Sequence, residues 1–208
     1  MRVRRIAVSL ALVLAAAPAA AACADGAGSS GSGGTGSEPT YFPLQQGNRW
    51  TYAGPRGDPP TTVTAARVRA GVFRLNGFPG AATLRVRSSG GVLQAWDAGQ
   101  RRWEAFLRLG AAKGTNWQIN LPDPVWTQAR AAVESRTATV RVGPLGRSFS
   151  RAVRIVLRPS PELSDAGITK LVFAPGVGLV LWEELTFGGS VTYALSSARV
   201  NGRTLGGR

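Results

Sequence analysis

Few residues of this 208-residue chain have the chemistry to act on another molecule. Cys23 is the only cysteine, and histidine is absent. A lone thiol can be acylated, can attack as a nucleophile or can ligate a metal, and the last two need partners. The missing imidazole removes the commonest general base, the Ser-His and Cys-His pairings and the commonest transition-metal ligand. Carboxylates remain. Glu183 and Glu184 form the only adjacent acidic pair, but neighbours on a strand point to opposite faces and cannot make a dyad. Asp123 in LPDPVW and Glu162 with Asp165 in PSPELSDAG fall in loop-like stretches, where solvated acids are the simplest reading. No phosphate loop, calcium loop or zinc spacing occurs. The sequence therefore assigns no catalytic group, no metal site and no cofactor. It points to binding rather than transformation, and a hydrolase working through carboxylates or serine ranks last.

The six tryptophans are the better lead. Trp96 and Trp103 flank DAGQRR. A two-residue hairpin at Ala98-Gly99 pairs Trp96 with Arg101 and Gln94 with Trp103, which sets two indoles diagonally on one face with a guanidinium between them. Trp117 and Trp126 flank the loop INLPDP and are placed to line a pocket mouth. Exposed, such groups stack on a sugar ring or rest at a lipid interface. Buried, they are core, the commoner role of large aromatics in small β domains. Trp96, Arg101, Trp103, Trp117 and Trp126 are thus the candidate ligand-binding residues. Arg56-Gly57-Asp58 spells an integrin-type tripeptide, which recurs by chance and is discounted.

These groups have to be positioned by something, and the amino terminus says where. In MRVRRIAVSLALVLAAAPAAAAC, Arg2, Arg4 and Arg5 precede an apolar run from Ile6 to Ala17, and small residues lead to Cys23. That is the layout of a secretory signal over residues 1–22. The apolar part is short of the ~20 residues a spanning helix wants, and an uncleaved anchor is the weaker alternative. The segment AAAC, Ala20 to Cys23, resembles the lipobox of bacterial lipoproteins, with alanine in place of the commoner leucine at Ala20. The resemblance implies cleavage before Cys23, acylation of its sulfur and amine, and a membrane held through that lipid. The other reading is an ordinary signal, discarded together with a chance cysteine. Ala24 lacks the acidic character that keeps some members of this class at the inner membrane, so the resemblance favours the outer one. Residues 23–40 then read as the lipidated cysteine and a Gly/Ser-rich tether, too poor in apolar groups to fold.

The whole chain carries 25 Lys+Arg and 11 Asp+Glu, and three of the arginines precede Cys23. The remainder has 22 against 11, a net charge of +11. Such a balance attracts lipid headgroups, acidic polymers or nucleic acid, and export makes nucleic acid the least favoured. Arginine at ordinary exposed positions of a GC-rich gene product is a better account of the charge than any one anionic partner. With one cysteine there is no internal disulfide, so the domain must be held by its own core.

From residue 41 to 203 the pattern is β. TLRVRS (Thr83 to Ser88), ATVRV (Ala138 to Val142) and RAVRIVL (Arg151 to Leu157) alternate apolar side chains with arginine, as in a sheet with one dry and one wet face. Asn76-Gly77, Pro175-Gly176 and Gly188-Gly189 read as hairpin turns. WTQARAAVESR, Trp126 to Arg136, is the best helix candidate, with a strand nearly as plausible. The expected architecture is mostly β: a single antiparallel, curved sheet of eight to ten strands, half-barrel or barrel-like, with at most one or two short helices, and a disordered tail over 204–208. In YFPLQQGNRWTY (Tyr41 to Tyr52), Tyr41, Phe42 and Leu44 are placed to plug one end of the sheet. In FAPGVGLVLWEE (Phe173 to Glu184), Gly178 marks a bulge or a close backbone approach. These two stretches resemble the opening and closing segments of bacterial envelope lipoproteins of unassigned function, some with the curved sheets of lipoprotein carriers. The resemblance brings no catalytic residue.

Two binding readings follow. The first is an apolar or amphipathic ligand held against the concave face of the sheet. The second is a structural or interaction module that holds an anionic envelope polymer or a partner protein by its basic face. An open cavity favours the first and a filled interior the second.

Overall fold

Alternating apolar and polar residues, with no sustained helical period, decide the architecture. The computed structural model describes residues 39–55, 57–123, 125–159 and 166–206. The expected signal, Cys23 and residues 24–38 of the tether lie outside these, as do Arg56, Glu162 and Asp165. Six strands make the first half: β1 (Arg49–Ala53), β2 (Thr61–Arg69), β3 (Val72–Phe78), β4 (Ala81–Ser89), β5 (Val92–Asp97) and β6 (Arg102–Arg108). The second half holds β7 (Asn116–Ile119), β8 (Ala129–Val142), β9 (Arg147–Arg158), β10 (Gly167–Ala174), β11 (Gly178–Thr186), β12 (Gly189–Val200) and β13 (Arg203–Gly206). One turn of 3-10 helix, Gly143–Leu145, joins β8 to β9.

All the strands belong to one antiparallel sheet curled nearly into a barrel. Thirteen strands stand where the sequence suggests eight to ten. Each half is a meander, and pairing of β1 with β12 joins them, so β6 and β7 become the two edges of the path. The loop 109–115 links those edges. Trp117 Nε1 donates across the seam to the Phe106 carbonyl at 3.0 Å, and Arg136 donates to the carbonyls of Gly110 and Ala111. Closing a sheet in this way hides most of its unpaired edge.

Several local expectations are corrected. Trp126 to Gln128 form a turn and β8 begins at Ala129, because Ala129, Ala131 and Val133 alternate into the core while Arg130 and Glu134 point out. Tertiary burial overrides helix propensity there. Asn76-Gly77 lies inside β3, and the hairpin turns at Pro79-Gly80. Gly77 is needed instead for a close approach, since a Cβ would stand 2.5 Å from the Thr62 carbonyl oxygen. The β11–β12 hairpin turns on Phe187-Gly188, one residue before the expected pair. The chain is paired through Gly206, where the sequence reads a tail, because β13 adds to β12.

The inner face is filled. Trp50, Trp126, Tyr52, Phe78, Phe106 and Phe173 are its largest fully buried side chains. Cross-strand rows such as Tyr193–Trp182–Leu171–Ile155–Val133 run across it. Strand direction alternates, so the connections sort onto two rims. One rim carries residues 39–48, the turns after β2, β4, β8, β10 and β12, and the loop 109–115. The opposite rim carries the connections after β1, β3, β5, β7, β9 and β11.

Candidate functional site

The two stretches that resemble lipoprotein segments meet in space and plug the first rim. Phe42 stacks on Trp50 at 5.0 Å and meets Phe173 edge-on at 5.9 Å. Trp50 Nε1 donates to the Val177 carbonyl at 2.7 Å, and the Tyr52 hydroxyl donates to the Leu179 carbonyl at 2.9 Å. Gly176, at φ +72° in the turn after β10, donates its N–H to the Thr40 carbonyl at 2.8 Å. Asn48 is buried; its Oδ1 accepts from the Asn201 N–H at 2.9 Å and its Nδ2 donates to the Pro43 carbonyl at 3.0 Å. Tyr41 reaches across to donate to the Arg151 carbonyl at 3.1 Å. Every one of these groups satisfies a backbone partner or fills the core. Two surface recesses border them, one of about 120 Å³ beside Thr40, Tyr41, Ser88 and Leu109 and a wide-open one of about 740 Å³ beside Thr40, Leu44, Gly176 and Asn201.

Chemistry that faces outward lies on the wall of β3 to β6. Trp96 and Trp103 are half-buried there, directly paired across β5 and β6, with ring centroids 5.5 Å apart and an interplanar angle of 66°. Their neighbour is Arg87, whose guanidinium lies 4.5 Å from the Trp103 centroid while its Nε donates to Gln94 Oε1 at 2.6 Å. Arg74 and Arg85 are exposed on the same wall and face each other across β3 and β4. The expected pairing of Trp96 with Arg101 is corrected. Asp97 is buried, and its carboxylate accepts the N–H groups of Gly99 and Gln100 at 2.8 and 3.0 Å. That builds a loop of Ala98 to Arg101 rather than a two-residue turn, and slides the pairs while keeping both indoles on one face. Arg101 sits exposed in the turn at φ +52°. The Asp-x-Gly spacing was the available signal for this loop; Arg87 has none, since its meeting with Trp103 depends on three strands.

The other sequence candidates lie apart from this wall. Trp117 is buried, donates across the seam to Phe106, and lines an open groove with Gln118, Arg130 and Arg158. Trp126 is buried against Phe78 and Phe106. Asp123 shapes its turn by accepting from the Val125 N–H at 3.0 Å. Glu183 pairs with Lys170 at 2.8 Å on the outer face, whereas Glu184 points inward beside Ile168. Burial raises the Glu184 carboxyl above its ordinary value. The Tyr193 phenol, stacked on Trp182, is raised by desolvation and then by the charges of Glu184 and Asp58. Among the described residues no three His, Cys, Asp or Glu side chains gather to hold a metal.

The outer wall also tolerates like charges. Arg49 faces Arg199, Arg74 faces Arg85 and Arg130 faces Arg158, each pair directly opposite and exposed. Such pairs are destabilising unless an anion lies between them.

No family model and no curated protein matches the chain. Among solved structures, it is similar to a "putative lipoprotein" from Parabacteroides distasonis, at 12% identity and a TM-score of 0.38, covering 77% of this chain and 98% of that one. It is also similar to a "putative exported protein with YmcC-like fold" from Bacteroides fragilis, at 14% identity and a TM-score of 0.40, covering 77% of this chain and 99% of that one. Neither likeness bears on function.

Proposed function

We propose that this protein is a lipid-anchored, non-catalytic module of a bacterial envelope that holds an anionic envelope polymer by the arginine–tryptophan wall of β3 to β6. The supporting observation is that the barrel interior is filled with side chains, while Trp96, Trp103, Arg74, Arg85 and Arg87 face outward together. A filled interior favours this reading over an apolar ligand held against the concave face. A sugar ring can lie on the exposed part of the indoles, and its carboxylates can meet guanidiniums that accept planar, two-point contacts. Anchoring through Cys23 and export by residues 1–22 come from the sequence.

The test titrates the chain from Ala24 onward with polygalacturonate, followed by calorimetry. Binding that weakens with salt is expected, and Trp103→Ala should reduce affinity about tenfold, the loss of one stacking and cation–π contact. Arg74→Gln with Arg85→Gln should reduce it further. Binding that ignores all three substitutions, or no binding at low salt, overturns the reading. The anchor is tested apart, by fatty-acid labelling of Cys23→Ser, which must abolish incorporation.

A further inference from the structure

The two rims differ in charge. Arg69 ends β2, Arg108 ends β6, Lys113 lies in the loop 109–115, Arg141 and Arg147 flank the turn after β8, and Arg203 opens β13. All six are exposed and all lie at the plugged rim. Among the described residues every carboxylate lies in the other half of the barrel. Asp58 and Asp123 are in connections of the opposite rim, Asp97 ends β5, Glu104 lies near the start of β6, and Glu134, Glu183 and Glu184 lie nearer that rim along their strands. The ion pairs Arg102–Glu104, Arg154–Glu134 and Lys170–Glu183 are accordingly confined to that half. Among the described residues, then, the plugged rim carries exposed cations and no carboxylate.

The chain also enters at this rim. Thr40 accepts from Gly176 there, and Pro39 borders Gly176 and Asn201. Fifteen residues, rich in glycine and serine, separate Cys23 from Pro39. We infer that the plugged rim docks face-down on anionic lipid headgroups, leaving the Trp96–Trp103 wall, which lies toward the opposite rim, turned away from the bilayer. The inference rests on the anchor reading for its geometry, but the rim's affinity for anionic lipid is a property of the folded part alone. Each cation held at such a surface contributes about fivefold in partitioning, screened beyond a Debye length of about 8 Å at physiological salt.

The chain from Ala24 onward keeps the folded unit, since among the described residues every buried core side chain and every strand lies between 41 and 206. Without any acyl group, it should sediment with vesicles containing phosphatidylglycerol and not with phosphatidylcholine vesicles. The triple variant Arg69→Gln, Lys113→Gln, Arg147→Gln should lose roughly hundredfold in partitioning. The control triple Arg101→Gln, Arg130→Gln, Arg158→Gln, of equal net charge but at the opposite rim, should lose less than fivefold, with circular dichroism confirming that both fold. Equal losses in the two triples, unchanged binding in the rim triple, or no preference for anionic vesicles overturns the inference. If vesicle binding follows the rim while fatty-acid labelling of Cys23 fails, the anchor reading has failed and the docking surface stands.

Discussion

Gly178→Ala should destabilise the domain well beyond Gly176→Ala, although both glycines have positive φ in one hairpin. Gly178 has φ +112°, and a Cβ there would stand 2.9 Å from Trp50 Nε1 and 3.3 Å from Phe42 Cδ2. Trp50 cannot withdraw cheaply, because it is fully buried, stacked on Phe42 and bonded to Val177. The backbone contributes about 1–2 kcal/mol and the overpacking about 1–3 kcal/mol, for a central cost of about 3.5 kcal/mol. Gly176, at φ +72°, has nothing within 4 Å of its added Cβ, so only the backbone cost of about 1.5 kcal/mol applies. For a domain of this size those costs lower Tm by roughly 7–14 °C and 3–6 °C respectively. Urea and thermal unfolding by circular dichroism measure both. In a Trp50→Phe background the overpacking should shrink while the backbone cost stays, giving a coupling of about 1–2 kcal/mol. Equal losses for the two glycines, or strict additivity in the double variant, refute the account of Gly178 as a close-approach residue.

Asn48→Ala removes the acceptor of the Asn201 N–H and the donor to the Pro43 carbonyl in a buried site. A loss of about 3 kcal/mol is expected, with faster hydrogen exchange at the Asn201 amide; an unchanged urea midpoint contradicts it. Glu184→Gln tests the desolvated carboxyl. A raised folded pKa means that the native state holds its proton longer than the unfolded chain, so stability is lost as pH rises from the ordinary value of 4.5 through the raised one. The wild type should therefore weaken relative to Glu184→Gln between mildly acid and neutral pH. Parallel pH–stability curves for the two proteins sink that assignment.

Strand identity was legible because burial in a one-sided sheet writes itself as period two. TLRVRS in β4 and RAVRIVL in β9 follow it, with Leu84, Val86, Val153 and Ile155 inside. The plug of Tyr41 and Phe42 was legible too, as aromatic residues preceding a proline. Register was not. Whether Trp96 meets Arg101 or Trp103 turns on whether Asp97 caps its loop, and a loop two residues longer keeps the face while changing the partner. Nor were the roles of Trp50 and Tyr52, whose donors find carbonyls 127 residues away in sequence.

The charge asymmetry shows why such a property escapes a linear reading. The rim cations come from separate stretches of the sequence, at 69, 108, 113, 141, 147 and 203, so no single basic tract marks the rim. Alternating strand direction does the sorting: a residue at the end of β2 and one at the start of β9 share a rim, whereas one at the start of β6 lies opposite. Exposed cations at one rim and carboxylates in the other half produce a field along the barrel axis that net charge alone does not describe. An axial field orients a tethered body, where an isotropic charge of the same size would only attract it. On the anchoring proposed above, the direction in which the chain leaves the barrel matters as much as the lipid itself. A leash moved to the opposite rim would set attraction and attachment against each other, and should lower partitioning onto anionic vesicles even with every arginine in place.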